Sequence, residues 1–279
     1  INMKPNNTLT QNIVILTGDE IRHKYFKTII SNNENINVLQ SFCEGTEQSL
    51  ENRIKSNPDS SKIEEYHIKL RNEYENNYFQ DELNKLEDKS NSIYIKKNDI
   101  NNNEIVKKII KLNPNLIICY GSSIIKSDLI EKFKNKFLNV HLGLSPYYRG
   151  SGTNIWPIIN NELFMIGATF MYIDSGIDTG KIIHQFRGEI MNGDNCHKIG
   201  NRVIKKMCDI YSNIIINYKD LSHEKQPQAN GLTYKMNDLN EAMYTKLYKQ
   251  FQDGIVKKYL KNKHLIKMPY IVENNALKS

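Results

Sequence analysis

Apolar and polar positions fall into blocks along most of this 279-residue chain, and the blocks switch between two periods. Asn12 to Gly18 is a β-branched run closed by glycine, and Asp19 to Ile30 follows with apolar residues at helical spacing. A strand feeding a helix is predicted there. Ile36 to Phe42, Ser92 to Ile95 and Asn115 to Cys119 repeat the strand signal, with Glu104 to Leu112 and Lys126 to Phe133 as intervening helices. Such alternation predicts an α/β fold: a doubly wound, mostly parallel sheet with helices on both faces.

Three stretches depart from this rhythm. Residues 44–90 are dense in Glu, Lys and Asn, with aromatics at Tyr66, Tyr74, Tyr78 and Phe79, and read as a helical insertion over the sheet with a structural role. Phe164 to Tyr172 and Lys181 to Ile190 are β-rich and flank Asp174-Ser-Gly-Ile-Asp-Thr-Gly180, predicting two strands around a loop. Asp194 is expected to cap a long amphipathic helix reaching about Tyr218. Beyond it come a turn at Gly231 to Tyr234 and a short helix near Leu239 to Tyr248. The domain plan is a tail 1–11, a catalytic domain 12–225 carrying the insertion, and a C-terminal extension 226–279.

The strand entered at Phe137 delivers Asn139 and His141 to one face, because side chains two apart in a strand point the same way. It then breaks into a loop, and ligands of doubly wound sheets bind at the carboxyl ends of strands. An amide beside an imidazole suits a developing oxyanion, and Asp178 is a carboxylate able to support the imidazole. On spacing alone His141 equally suits a strand cap, and Asp178 an ordinary turn aspartate.

Composition changes the picture only at its edges. The net charge of +7 suits an acidic partner without choosing among nucleotide phosphate, polyglutamylated cofactor and RNA. Cys43, Cys119, Cys196 and Cys208 are widely spaced with no C-x-x-C, which argues against a metal site or disulfide scaffold and for a reducing, cytoplasmic compartment. No apolar run reaches the roughly 18 residues that span a bilayer, so no membrane association is expected.

Asn139-Val-His141, a proline-containing loop ending in Arg149-Gly150, and then Ile177-Asp-Thr-Gly180 resemble the N10-formyltetrahydrofolate-dependent formyltransferases. That family includes methionyl-tRNA, glycinamide ribonucleotide and sugar N-formyltransferases, and the resemblance runs from about Asn12 to Lys219. It implies a Rossmann-like formyltransferase core that uses N10-formyltetrahydrofolate as cosubstrate and needs no metal. It assigns oxyanion stabilisation to Asn139 and His141 and the supporting carboxylate to Asp178, which also accepts the amine's proton. Folate contacts fall on Ser122, Ser123, Ile124 and Ile125, on the loop Gly143, Leu144, Ser145 and Pro146, and on Asp174. The family loop usually reads Ser-Leu-Leu-Pro, so Gly143 removes a serine contact.

For the acceptor, the resemblance points to the loop after the first strand, with Gly18, Arg22 and His23, where helix capping by Asp19 is the competing reading. Tyr148, Arg149 and Gly150 are further acceptor contacts, whereas Trp156 reads as core. The tail beyond the long helix is shorter than the RNA-binding domain of the transfer-RNA enzyme, which weighs against a nucleic-acid acceptor, and the glycinamide enzyme lacks the insertion. The layout is most like enzymes formylating amino sugars carried on nucleotides. Methionyl-tRNA or glycinamide ribonucleotide formylation, a formate-releasing hydrolase and a non-catalytic folate or nucleotide sensor are the alternatives. The C-terminal extension is read as an acceptor-site cover or a homodimer contact.

Overall fold

The computed structural model describes residues 10–229 and 231–277, so most of the expected N-terminal tail lies outside the described residues. Elements run β1 (Gln11–Thr17), α1 (Ile21–Ser31), β2 (Ile36–Glu44), α2 (Leu50–Ser56), α3 (Lys62–Leu83), β3 (Ser92–Ile95), α4 (Asn103–Leu112), β4 (Leu116–Tyr120), α5 (Ser127–Lys132) and β5 (Phe137–His141). They continue as β6 (Tyr148–Gly150), α6 (Trp156–Ile159), β7 (Gly167–Tyr172), β8 (Ile182–Arg187), α7 (Cys196–Asn217), β9 (Leu232–Tyr234), α8 (Glu241–Gln252) and α9 (Ile255–Asn262).

Seven strands form one sheet in the order β3-β2-β1-β4-β5-β7-β8. The first five pair in parallel, and β7 and β8 add antiparallel edges. The predicted mostly parallel sheet is therefore present. Ile13, Val14, Ile15 and Leu16 of β1 are all fully buried, as a central strand covered on both faces requires. Ile13 and Ile15 pack with Phe26, Tyr211 and Ile214 on the α1/α7 face, while Val14 and Leu16 meet Ile109 and Leu129 on the α4/α5 face. Strand alternation alone divides these four residues between two cores.

The insertion is helical but sits one layer further out than expected. Helix α3 packs on α1, α7 and α8. It buries Phe79 against Tyr25, with ring centroids 4.6 Å apart, and also turns polar residues inward: His67 and Glu75 are buried.

Three local expectations are corrected. The N-cap of α7 is Asn195, whose side chain accepts from the backbone of His197 and Lys198, because Asp194 is drawn to Arg202 and to Met191 N. The N-cap of α1 is Glu20 rather than Asp19. Gly231 to Tyr234 is not a plain turn, since Leu232–Tyr234 pairs in parallel with Tyr148–Gly150 as a two-stranded sheet. No helix among the described residues is long and apolar enough to cross a membrane.

Candidate functional site

In this strand order the chain reverses direction between β1 and β4, where an open α/β sheet forms a crevice at its carboxyl edge. That crevice is filled. The imidazole of His23 lies between Gly18 and Gly121, and a Cβ at Gly121 would fall 2.3 Å from its Nε2. Its Nδ1 accepts from the backbone N–H of Glu20 at 3.2 Å. Burial, reinforced by Arg22, Lys97 and Arg71, holds His23 neutral, well below the ordinary histidine value.

The neighbouring Arg22 is likewise committed. It pairs with Glu20 and, at 3.1 Å, with Glu75, while Arg71 reaches Glu20 at 2.9 Å. Two guanidinium groups and two carboxylates cancel, so Arg22 is not a free cation for a phosphate. Of the expected acceptor contacts, Gly18 and His23 are buried together and Arg22, partly exposed, is paired with Glu20 and Glu75.

The open cleft lies one strand further along, a cavity of about 160 Å³ between the loop after β4 and the β7–β8 connection. It is lined by Ser122, Ser123, Ile124 and Ile125, by Asn139, and by the 171–180 segment with Asp174 and Asp178. Four expected folate contacts, Asp174 and two of the three expected catalytic residues thus meet in one place. Asn139 sits mid-strand in β5, bracketed by Cys119 of β4 and Met171 of β7, and among the described residues its side-chain amide has no protein hydrogen-bond partner. Ile124 and Ile177 on the lips are 76% and 51% exposed, apolar surface suited to a flat ring.

His141 stands behind this surface rather than on it. Its Nε2 is 3.0 Å from the carbonyl of Tyr148, an acceptor only, so Nε2 donates. Its Nδ1 faces Asp178 Oδ2 at 3.3 Å, and the same oxygen accepts from Gly150 N at 2.9 Å. Asp178 therefore joins the cleft to the buried imidazole. Holding it there takes a left-handed backbone at φ 53°. The turn is ordered by Asp174, whose Oδ1 accepts from Gly176 N and Thr179 Oγ1.

Other expected contacts are placed elsewhere. Leu144 and Ser145 are fully buried, and Gly143 to Pro146 do not line the cleft. A Cβ at Gly143 would lie 2.5 Å from His141 Nε2 and 2.8 Å from Thr153, so a serine there would require those side chains to shift. Tyr148 is buried, its hydroxyl donating to Glu162, and burial with that carboxylate pushes its pKa up. Arg149 is held by Gln226 at 2.7 Å. These residues lie beside β9 and outside the cleft lining.

Two residues missed from sequence organise the cleft. Glu44, buried at the end of β2, accepts from Ser123 N at 2.6 Å, Lys97 Nζ at 3.1 Å and Asn98 N at 2.9 Å. Asn101 donates to Ile124 O and accepts from Lys126 N, both at 2.9 Å. The only sequence signal was an acidic residue closing the apolar run that ends at Cys43. Because Ser123 N serves Glu44, it is not free for a ligand.

Comparison with known proteins gives the family. The formyl transferase family model matches residues 12–215. A methionyl-tRNA formyltransferase of Finegoldia magna is 25% identical over 163 residues, covering 58% of this chain and 52% of that protein. The chain spans about half the length of the curated relatives it matches. A 4-N formyltransferase from Francisella tularensis superposes with TM-score 0.53 at 21% identity, covering 86% of each chain. A formyltransferase from Anoxybacillus kamchatkensis, solved with UDP-4,6-dideoxy-4-formamido-L-AltNAc and tetrahydrofolate, gives 0.50 at 20% identity, covering 88% of this chain and 96% of that one. At such identities these two likenesses speak for the fold alone.

Proposed function

This chain belongs to the formyl transferase family, and on that premise we propose that it transfers a formyl group from N10-formyltetrahydrofolate to the amine of a small acceptor, a nucleotide-linked amino sugar. The observation that carries this reading is the cleft in which the unpartnered amide of Asn139 faces the same cavity as Asp178, with Asp178 clasping His141 at 3.3 Å. The exposed Ile124 and Ile177 fit the folate ring system, and the 122–125 loop would carry it.

When bound, the folate supplies the formyl carbon that the amine attacks. Asn139 donates its amide N–H to the oxygen on which charge develops. Asp178 accepts the proton that the amine loses, a proton would be taken up by the donor nitrogen as its bond to the formyl carbon breaks, and the second duty of Asp178 is to hold His141. His141, fixed by the Tyr148 carbonyl, positions Asp178 from behind. This allocation differs from the one implied by the family resemblance, in which the histidine itself faces the oxyanion.

A second acceptor is favoured by a specific observation: the curated relatives are methionyl-tRNA formyltransferases. The nucleotide-sugar reading draws its support from overall layout, since the fold of this chain is shared across 86–88% of its length with the two solved formyltransferases, one of them solved with a formylated nucleotide sugar. Incubation with formyl-tetrahydrofolate and either a panel of nucleotide-linked amino sugars or charged initiator tRNA separates them. Acceptor-independent formate release means a hydrolase, and binding without turnover means a sensor. Replacing Asn139 by alanine should cost about two to three orders of magnitude in turnover with folding retained; a near-normal rate overturns the proposal.

A further inference from the structure

Away from the cleft, three helices bring four metal-binding atoms together in the interior. His67 projects from α3, Cys196 and His197 open α7, and one ligand atom from each lies within 4.8 Å of the others, all three residues being buried. The phenol of Tyr248 on α8 completes the group, 2.9 Å from His67 Nδ1 and 3.3 Å from His197 Nε2. Donors around a tetrahedral ion with bonds of about 2.0–2.3 Å stand roughly 3.3–3.6 Å apart. The two nitrogen-to-oxygen separations are therefore already close to tetrahedral edges, and those among His67, Cys196 and His197, at up to 4.8 Å, close with a movement of roughly 1 Å.

We propose that His67, Cys196, His197 and Tyr248 form a structural zinc site that ties the insertion helix α3 to α7 and α8. Two nitrogens, a sulfur and a phenolic oxygen make a set that suits zinc and does not suit calcium or magnesium, which take oxygen ligands. Burial from solvent and the use of four protein donors mark the site as closed and structural rather than catalytic. On binding, the Cys196 S–H bond breaks, a sulfur–zinc bond forms and the proton leaves to solvent. The Tyr248 O–H bond likewise breaks as its oxygen joins the ion, that proton too leaves to solvent, and each imidazole carries its remaining N–H on the nitrogen turned away from the ion. The site connects segments 129 residues apart in sequence, which neither the spacing of the cysteines nor any short motif discloses.

The test uses tag-free full-length protein from zinc-supplemented medium, purified without chelator, with metal content and Tm measured before and after exhaustive chelation. Expected are one zinc per chain, a fall in Tm of roughly 5 °C or more on its removal, and a thiolate-to-cobalt absorption band after cobalt exchange. Cys196→Ser and Tyr248→Phe, both nearly isosteric, should lower zinc occupancy at least tenfold, while Cys43→Ser keeps it. Metal content far below one per chain with no response of Tm to added zinc overturns the proposal. So does full occupancy retained in Cys196→Ser.

Discussion

Replacing Glu44 by glutamine isolates the question of how the cleft loop is held. The carboxylate is 1% exposed and receives three donors: Ser123 N at 2.6 Å, Asn98 N at 2.9 Å and the Lys97 ammonium at 3.1 Å. Glutamine keeps one acceptor oxygen and turns an NH₂ toward the other donors, so at least one backbone N–H is left facing a donor. An unsatisfied buried N–H costs about 1–3 kcal/mol, and the lost charge-assisted bond adds a similar amount. Lys97, partly exposed, recovers most of its share from water. The net expectation is about 2–4 kcal/mol of stability, or roughly 5–12 °C in Tm.

Function should suffer in one parameter. With Ser123 released, the 122–125 loop must be ordered by the incoming folate, at a cost of about 1–2 kcal/mol, which raises the donor KM about 5- to 30-fold while kcat holds. Denaturant unfolding and steady-state kinetics with varied formyl-tetrahydrofolate measure both. Asn101→Ala serves as the control, since Asn101 grips the same loop from the exposed side and should raise KM with little loss of stability. If Glu44→Gln leaves donor KM unchanged while stability falls as expected, Glu44 is a core ion pair and not a loop anchor.

Other expectations follow from the same geometry. Asp178→Asn keeps an acceptor for Gly150 N but removes the charge beside His141, so turnover should fall about 10²- to 10⁴-fold with Tm nearly unchanged; single-turnover kinetics within about threefold of wild type would remove Asp178 from the chemistry. Gly143→Ser, which restores the residue usual in related loops, sets a Cβ 2.5 Å from His141 Nε2 and should lower both Tm and activity, an outcome checked by thermal unfolding and by the His141 ring resonances. His23 is depressed in the folded state, so the unfolded chain binds the extra proton. Its contribution is complete above about pH 6.5 and is lost as pH falls below it, by about 1.4 kcal/mol per unit. His23→Asn, which retains an acceptor for Glu20 N, should flatten the stability profile between pH 7 and 5 by one proton, and an unchanged slope refutes the assignment.

How far the sequence reached can be judged residue by residue. The alternation of strand and helix, the burial of Ile13 to Leu16 on two faces, and the delivery of Asn139 and His141 to one side of β5 were all legible, because each follows from a period of two or of 3.6 along a short segment. The turn holding Asp174 and Asp178 was legible for the same reason, as its glycines and aspartates act on their near neighbours.

What only the tertiary structure decided lies between segments distant in sequence. Arg22 read as a free cation because Glu75 and Arg71 stand 53 and 49 residues away on a helix that folds back onto it. Glu44 read as the start of an insertion, yet its carboxylate holds a loop 79 residues on. His141 read as facing a ligand, and its ring is turned by the Tyr148 carbonyl and the Asp178 carboxylate. Periodicity fixes which face a side chain leaves from, but the partner that claims its charge or its hydrogen bond is chosen by the packing of whole elements, and spacing along the chain does not encode that choice.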